Sequence, residues 1–202
     1  MRSLIGMKSL IEGQVWVIDP FLNKANYKSL VRSYCDADIE MLHVNNKDMK
    51  PLMADTDMSY RVKSIEHFPP IYESIEKQLN IKLPERQSNL AMQYKRFMRD
   101  DSYDLHAEDK RIYGDWVYIM YLTNETDGRI IFPSEQDHIS SDGFVEMQEM
   151  FDITFAPQTV SYTPKANTCV VMKTGIAHMV EPCSGRRDSI AGWPGFVPSS
   201  KR

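Results

Sequence analysis

The sequence predicts a mainly β domain, a sandwich or barrel with helices packed against its outside. Three observations carry that expectation. After Pro84, short apolar runs with period two follow one another, each bounded by polar turn residues. Before Pro84, two segments place apolar residues at helical spacing. The chain has 202 residues, 42% hydrophobic and 26% charged, enough for one substantial core and ordinary for a globular protein. Two helices followed by many short strands suggest a sandwich or barrel with the helices packed against its outside.

In chain order, Gln14 to Asp19 (QVWVID) alternates like a half-buried strand, and Pro20 limits its extension. Asn26 is placed to cap a helix in which Tyr27, Leu30, Val31 and Tyr34 share a face. The polar stretch from Asn45 to Tyr60 carries Met49, Met53 and Met58, which read as gap-filling methionines more readily than as a thioether copper site. Pro69 and Pro70 open a second helix with Ile71, Ile75 and Leu79 on one face. The strand-like runs are AMQYKRFM, WVYIMYLT, GRIIF, DITF, NTCVVM, IAHMV and, near the end, SIAGW. Ser134 to Pro157 is longer than an ordinary hairpin connection, and reads equally as a lid, a binding loop or an irregular surface excursion. The mixed charges at Asp109 to Arg111 read as a solvated turn.

Composition narrows the partners. A formal charge of -4 and a pI near 5.7 give no broad attraction to phosphate backbones, so no nucleic acid is expected. The three cysteines, Cys35, Cys169 and Cys183, form no CxxC pair, which argues against a disulfide framework and a thiolate zinc site and fits a reducing compartment. No signal-peptide core or membrane span is recognisable, and the expected location is cytoplasmic.

The chemistry is concentrated around one histidine. Of five histidines, only His106 is followed two residues on by an acid, Glu108. On a strand, residues two apart point to the same side, so an imidazole and a carboxylate converge on one metal ion while Asp109 points the other way. Such a pair arises often by chance. His178, in the strand-like IAHMV, supplies a second imidazole, and two histidines with one carboxylate make the facial triad of non-haem Fe(II) oxygenases. Three protein ligands leave positions for a chelating 2-oxo acid and for dioxygen. Arg187 follows nine residues beyond His178, in RDSIAGW, and its planar guanidinium is a two-pronged partner for the far carboxylate of a dicarboxylate. If that segment is a strand, Arg187, Ser189, Ala191 and Trp193 share one face and Arg186 and Asp188 the other.

Taken together, Met92 to Trp193 resembles the catalytic core of the prolyl 4-hydroxylase-like Fe(II)/2-oxoglutarate-dependent dioxygenases. Five parts run in that family's order: YDLHAED, VYIMYLTN, DGRIIFP, AHMVEP and GRRDSIAGW. The resemblance implies a double-stranded β-helix (jelly-roll, cupin-like) spanning 1–202 as a single domain. Residues 1–88 would supply an N-terminal strand and supporting helices, and residues 89–202 the jelly-roll catalytic core. It implies Fe(II), with 2-oxoglutarate and O2 as co-substrates, and His106, Glu108 and His178 as the catalytic metal ligands. It also implies Arg187 as the partner of the far carboxylate of 2-oxoglutarate and Ser189 as part of an RxS arrangement. Tyr121 would hydrogen-bond that carboxylate, fill the barrel as a buried aromatic, or do both. The implied reaction is hydroxylation of a small molecule or peptide, with a prolyl-type side chain as the nearest analogy, and release of succinate and CO2.

The chain departs from the family's pattern in three places. Glutamate stands where most relatives have aspartate, Asp127-Gly128 stands where paired glycines are usual, and the tyrosine common upstream of the metal motif has no clear equivalent beyond the neighbouring Tyr94 and Tyr103. Two other classes remain open at this point: a jelly-roll binding module without catalysis, and a cupin-like metal enzyme that uses no 2-oxo acid. A buried Arg187 separates them from the oxygenase, since neither requires it.

Overall fold

The computed structural model describes residues 6–45, 59–84, 91–124, 127–137 and 153–196. The strands in chain order are β1 (Met7–Ile11), β2 (Val15–Ile18), β3 (Leu42–Asn45), β4 (Ser59–Ser64), β5 (Met92–Phe97), β6 (Tyr103–His106), β7 (Trp116–Tyr121), β8 (Ile130–Phe132), β9 (Val160–Tyr162), β10 (Thr168–Lys173), β11 (His178–Val180) and β12 (Arg187–Gly192). Eight form a large sheet in the order β1-β2-β10-β7-β12-β5-β4-β3, and four a small one in the order β6-β11-β8-β9. Every ladder between named strands is antiparallel. Helix α1 (Lys24–Leu30) runs on into a wider turn over Val31–Cys35, α2 covers Pro69–Leu79, and α3 is the short Lys110–Tyr113.

Both faces of the large sheet are covered. On the outer face Tyr118 and Met120 of β7, Cys169 and Val171 of β10 and Ile190 of β12 pack with Leu30, Ile71 and Ile75 of the helices. On the inner face Val117, Tyr121, Val170 and Ala191 pack with Ile130 and Phe132 of the small sheet. This is why WVYIMYLT reads as an almost unbroken apolar run, as strands buried on both sides do. Gly192 is part of the same packing: a Cβ there would lie 2.3 Å from the Tyr118 ring, so the close approach of ring and strand requires glycine.

Several expectations shift in detail. The side chain of Asn23, not Asn26, caps α1, accepting from the Asn26 N–H at 3.0 Å, because a cap oxygen reaches the amide three residues on. The segment before residue 89 supplies four strands, β1 to β4, and not one. Of DITF, the described residues Ile153 to Phe155 make no strand; Thr154 forms an isolated bridge with Ile176. Helix α2 starts at Pro69 and buries Ile71 and Ile75 as its spacing predicts, with Leu79 partly buried and Tyr72 buried in addition. Met49, Met53 and Met58, and residues 138–152 of the long connection after Ser134, lie outside the described residues.

Candidate metal centre

β6 and β11 are neighbours in the small sheet, and their register sets His178 directly opposite His106. The two imidazoles lie with centroids 4.3 Å apart, and both residues are buried. Each ring is aimed by its own backbone: His106 Nδ1 lies 2.7 Å from the Asp104 carbonyl and His178 Nδ1 2.9 Å from the Ile176 carbonyl. A carbonyl only accepts, so Nδ1 carries the hydrogen and the Nε2 lone pair is left to face inward. Burial, reinforced by the neighbouring His178, pushes the His106 imidazole well below its usual range, which keeps it neutral and able to donate a lone pair.

Glu108 joins them from just past the end of β6. Its carbonyl accepts from the Gly175 N–H at 3.0 Å, which ties the loop to the turn before β11. Its carboxylate is held on one side by the Trp193 indole, donating to Oε1 at 3.3 Å, while Oε2 lies 4.0 Å from His178 Nε2. One ligand atom from each of the three residues fits within a mutual 4.8 Å. The convergence matches the expectation, but strand alternation is not its cause, since β6 ends at His106 and a loop carries Glu108 inward. Within β6 a bulge sets Tyr103 to His106 against Val180 to His178, and Tyr103 stacks on His106 at 3.8 Å. Asp109 turns away as expected. The DKR segment is the N-terminus of α3, where the Asp109 carboxylate accepts from the Arg111 backbone N–H at 2.9 Å and pairs with its guanidinium at 2.7 Å.

Across the same cavity β12 sends Arg187 inward, only 1% exposed. Its Nη1 donates to the Gly128 carbonyl at 3.2 Å, and its plane lies over the Phe97 ring at 4.5 Å. Nη2 is buried with no hydrogen-bond partner among the described residues. A Cβ at residue 128 would fall 2.8 Å from Nη1, so the single glycine of Asp127-Gly128 is the one that makes room for the guanidinium. Ser189 and Tyr121 face each other in register on β12 and β7, and both line the cavity with Ala191 and Trp193. Burial pushes the Tyr121 phenol up, with the nearby Arg187 opposing it.

No family model and no curated protein matches the chain. Solved structures do. A Pseudomonas putida prolyl-4-hydroxylase superposes with a TM-score of 0.59 at 15% identity, covering 92% of this chain and 93% of that one. A Trichoplax adhaerens prolyl hydroxylase, solved with a peptide fragment of the hypoxia-inducible factor oxygen degradation domain, gives 0.61 at 10% identity over 95% and 86%. HygX from Streptomyces hygroscopicus, solved with nickel and 2-oxoglutarate, gives 0.55 at 14% identity over 91% and 84%. The fold is that of the 2-oxoglutarate-dependent Fe(II) oxygenases. It is the double-stranded β-helix, and at these identities the likeness is one of fold.

Within this oxygenase fold the remaining candidates are peripheral. His43 is exposed on β3, His67 stacks edge-on with Tyr72, and neither joins a metal-ligating cluster among the described residues; His138 lies outside them. Cys35, Cys169 and Cys183 are all free thiols. No described helix is long and apolar enough to cross a membrane. One residue that the sequence reading passed over faces the cavity: Lys95 of β5, opposite Ser189 and only 8% exposed. Its signal lies in AMQYKRFM, where alternation puts Lys95 with Phe97 on the face opposite Tyr94.

Proposed function

We propose that the chain is an Fe(II)- and 2-oxoglutarate-dependent dioxygenase, a hydroxylase that releases succinate and CO2. The observation that carries this reading is the pairing, across one cavity, of the His106-Glu108-His178 cluster with a buried guanidinium whose Nη2 is unmatched. A closed structural metal site needs no such cation, and neither does a binding module that has lost its metal. Two imidazoles and one carboxylate suit Fe(II), and they leave coordination positions open.

In this reading His106, Glu108 and His178 hold the metal and Arg187 binds the far carboxylate of 2-oxoglutarate, with Tyr121 and Ser189 beside it. Bound iron would activate dioxygen and couple oxidative decarboxylation of the co-substrate to attack on a C–H bond. The protein's share is geometric. The Asp104 and Ile176 carbonyls fix the two imidazole tautomers, and the Trp193 indole holds the carboxylate so that Oε2 faces His178. The apolar side chains of Val117, Ile119 and Ala191 keep bulk water from the reacting centre. The Trichoplax neighbour carries a peptide and HygX has also been solved with hygromycin B, so the fold itself admits both peptide and small-molecule ligands.

Equilibrium dialysis against Fe(II) under anaerobic conditions tests the ligand assignment. His106→Ala, Glu108→Ala and His178→Ala are expected to lose stoichiometric binding while keeping the fold by circular dichroism, and Asp109→Ala to keep one equivalent. Unchanged affinity in either histidine variant, or loss in Asp109→Ala alone, overturns the triad.

A further inference from the structure

Lys95 enters the cavity from the β5 strand, beside the metal-ligating cluster and two register positions from Arg187. Its Nζ forms no ion pair or hydrogen bond with a described residue. Three ring faces surround it instead: Tyr60 at 4.9 Å, Tyr103 at 5.3 Å and Trp193 at 5.3 Å. Aromatic faces attract an ammonium but give its three N–H groups no acceptor, and a buried cation without one is costly. Burial pushes Lys95 down to about 8, with Glu108 opposing. The side chain is walled by the three rings and lines the cavity that the metal-ligating cluster faces.

The charges in the cavity show what it awaits. The two carboxylates of 2-oxoglutarate already have partners, Arg187 for the far one and the metal for the near one. Set against that dianion, a divalent ion, Glu108, Arg187 and Lys95 leave a single positive charge, on Lys95. Resting on the oxygenase reading above, we infer that Lys95 is the recognition point for a carboxylate of the primary substrate, which is thus an organic acid. Its apolar body would lie against Tyr60, Tyr103 and Trp193, whose rings already wall the ammonium.

The test uses protein loaded with Zn(II), which holds the site without turnover, and saturated with 2-oxoglutarate. The indole N–H signal of Trp193, assigned by its loss in Trp193→Phe, is followed by NMR as hexanoate or hexanamide is added. Wild type is expected to bind hexanoate at least tenfold more tightly than hexanamide. Lys95→Met and Lys95→Gln are both expected to lose that preference and to bind 2-oxoglutarate within twofold of wild type. Equal binding of the two probes by wild type, binding of neither, or a preference that survives both substitutions overturns the inference. A tenfold loss of 2-oxoglutarate affinity in the Lys95 variants overturns it too, and assigns the lysine to the co-substrate. Failure of wild type to bind 2-oxoglutarate, with the hexanoate preference intact, sinks the oxygenase reading and leaves the carboxylate subsite standing.

Discussion

The two faces of β12 bury opposite charges one residue apart and treat them differently. On the outer face Asp188, 0% exposed, is charge-paired on both oxygens: Oδ1 accepts from the Tyr94 hydroxyl at 2.7 Å and from Arg96 Nε at 2.9 Å, and Oδ2, without an aligned hydrogen bond, forms an ion pair with Arg186 Nε at 2.7 Å. On the inner face Arg187, 1% exposed, has one carbonyl acceptor, one ring beneath it and a nitrogen with no hydrogen-bond partner among the described residues. Native proteins satisfy nearly all buried polar groups, so a cluster that closes on itself is read as structure and one left open as a place for a ligand. The outer cluster also braces the strand, since the Asp188 N–H donates to Thr123 Oγ1 at 2.9 Å and fixes the register that aims Arg187 inward.

The contrast breaks first at Asp188. Asp188→Ala strips the acceptor from two guanidiniums and a phenol, and removing one partner of a buried pair costs about 3–5 kcal/mol. Urea unfolding should show a loss of that size; a loss below about 1 kcal/mol would mean the outer cluster is not a brace.

Arg187 should show the reverse pattern. Arg187→Ala is expected to weaken 2-oxoglutarate binding by about 3 kcal/mol, roughly a hundredfold, by calorimetry on metal-loaded protein. Its unfolding free energy without co-substrate should hold or rise, because a half-paired buried cation is gone. Arg187→Lys keeps charge but not the fork and should fall between. The smallest effect belongs to Arg186→Ala, which leaves Asp188 with Arg96 and Tyr94 and should cost under about 1 kcal/mol of stability, with co-substrate affinity within about twofold. Weak co-substrate binding in Arg186→Ala with normal binding in Arg187→Ala would invert the two faces.

What the sequence made legible follows from where period two is decisive. In RDSIAGW a single alternation sends Arg187, Ser189 and Ala191 to the cavity and Arg186 and Asp188 away from it, and the structure has that register. The spacing of Ile71 and Ile75 likewise held, because α2 has one covered face. Other features depend on partners remote in sequence. MKSLI of β1 barely alternates and is a strand because β2 pairs with it. Glu108 reaches the histidines through a loop tied to Gly175, a contact no local pattern encodes. Lys95 escaped notice because both faces of β5 are covered, and a lysine in a mixed run looks solvent-facing until β4 and β12 flank it.

The central claim is that one cavity takes metal and 2-oxoglutarate together, the metal on His106, Glu108 and His178 and the far carboxylate on Arg187. Anaerobic addition of 2-oxoglutarate to the Fe(II)-loaded protein reads that directly, because chelation by a 2-oxo acid produces a weak metal-to-ligand charge-transfer band in the visible. The account predicts a band that saturates at one equivalent in wild type and is missing in Glu108→Ala. In Arg187→Ala the band should need roughly a hundredfold more 2-oxoglutarate. No band in wild type at saturating iron and co-substrate, or an identical titration in Arg187→Ala, would contradict it.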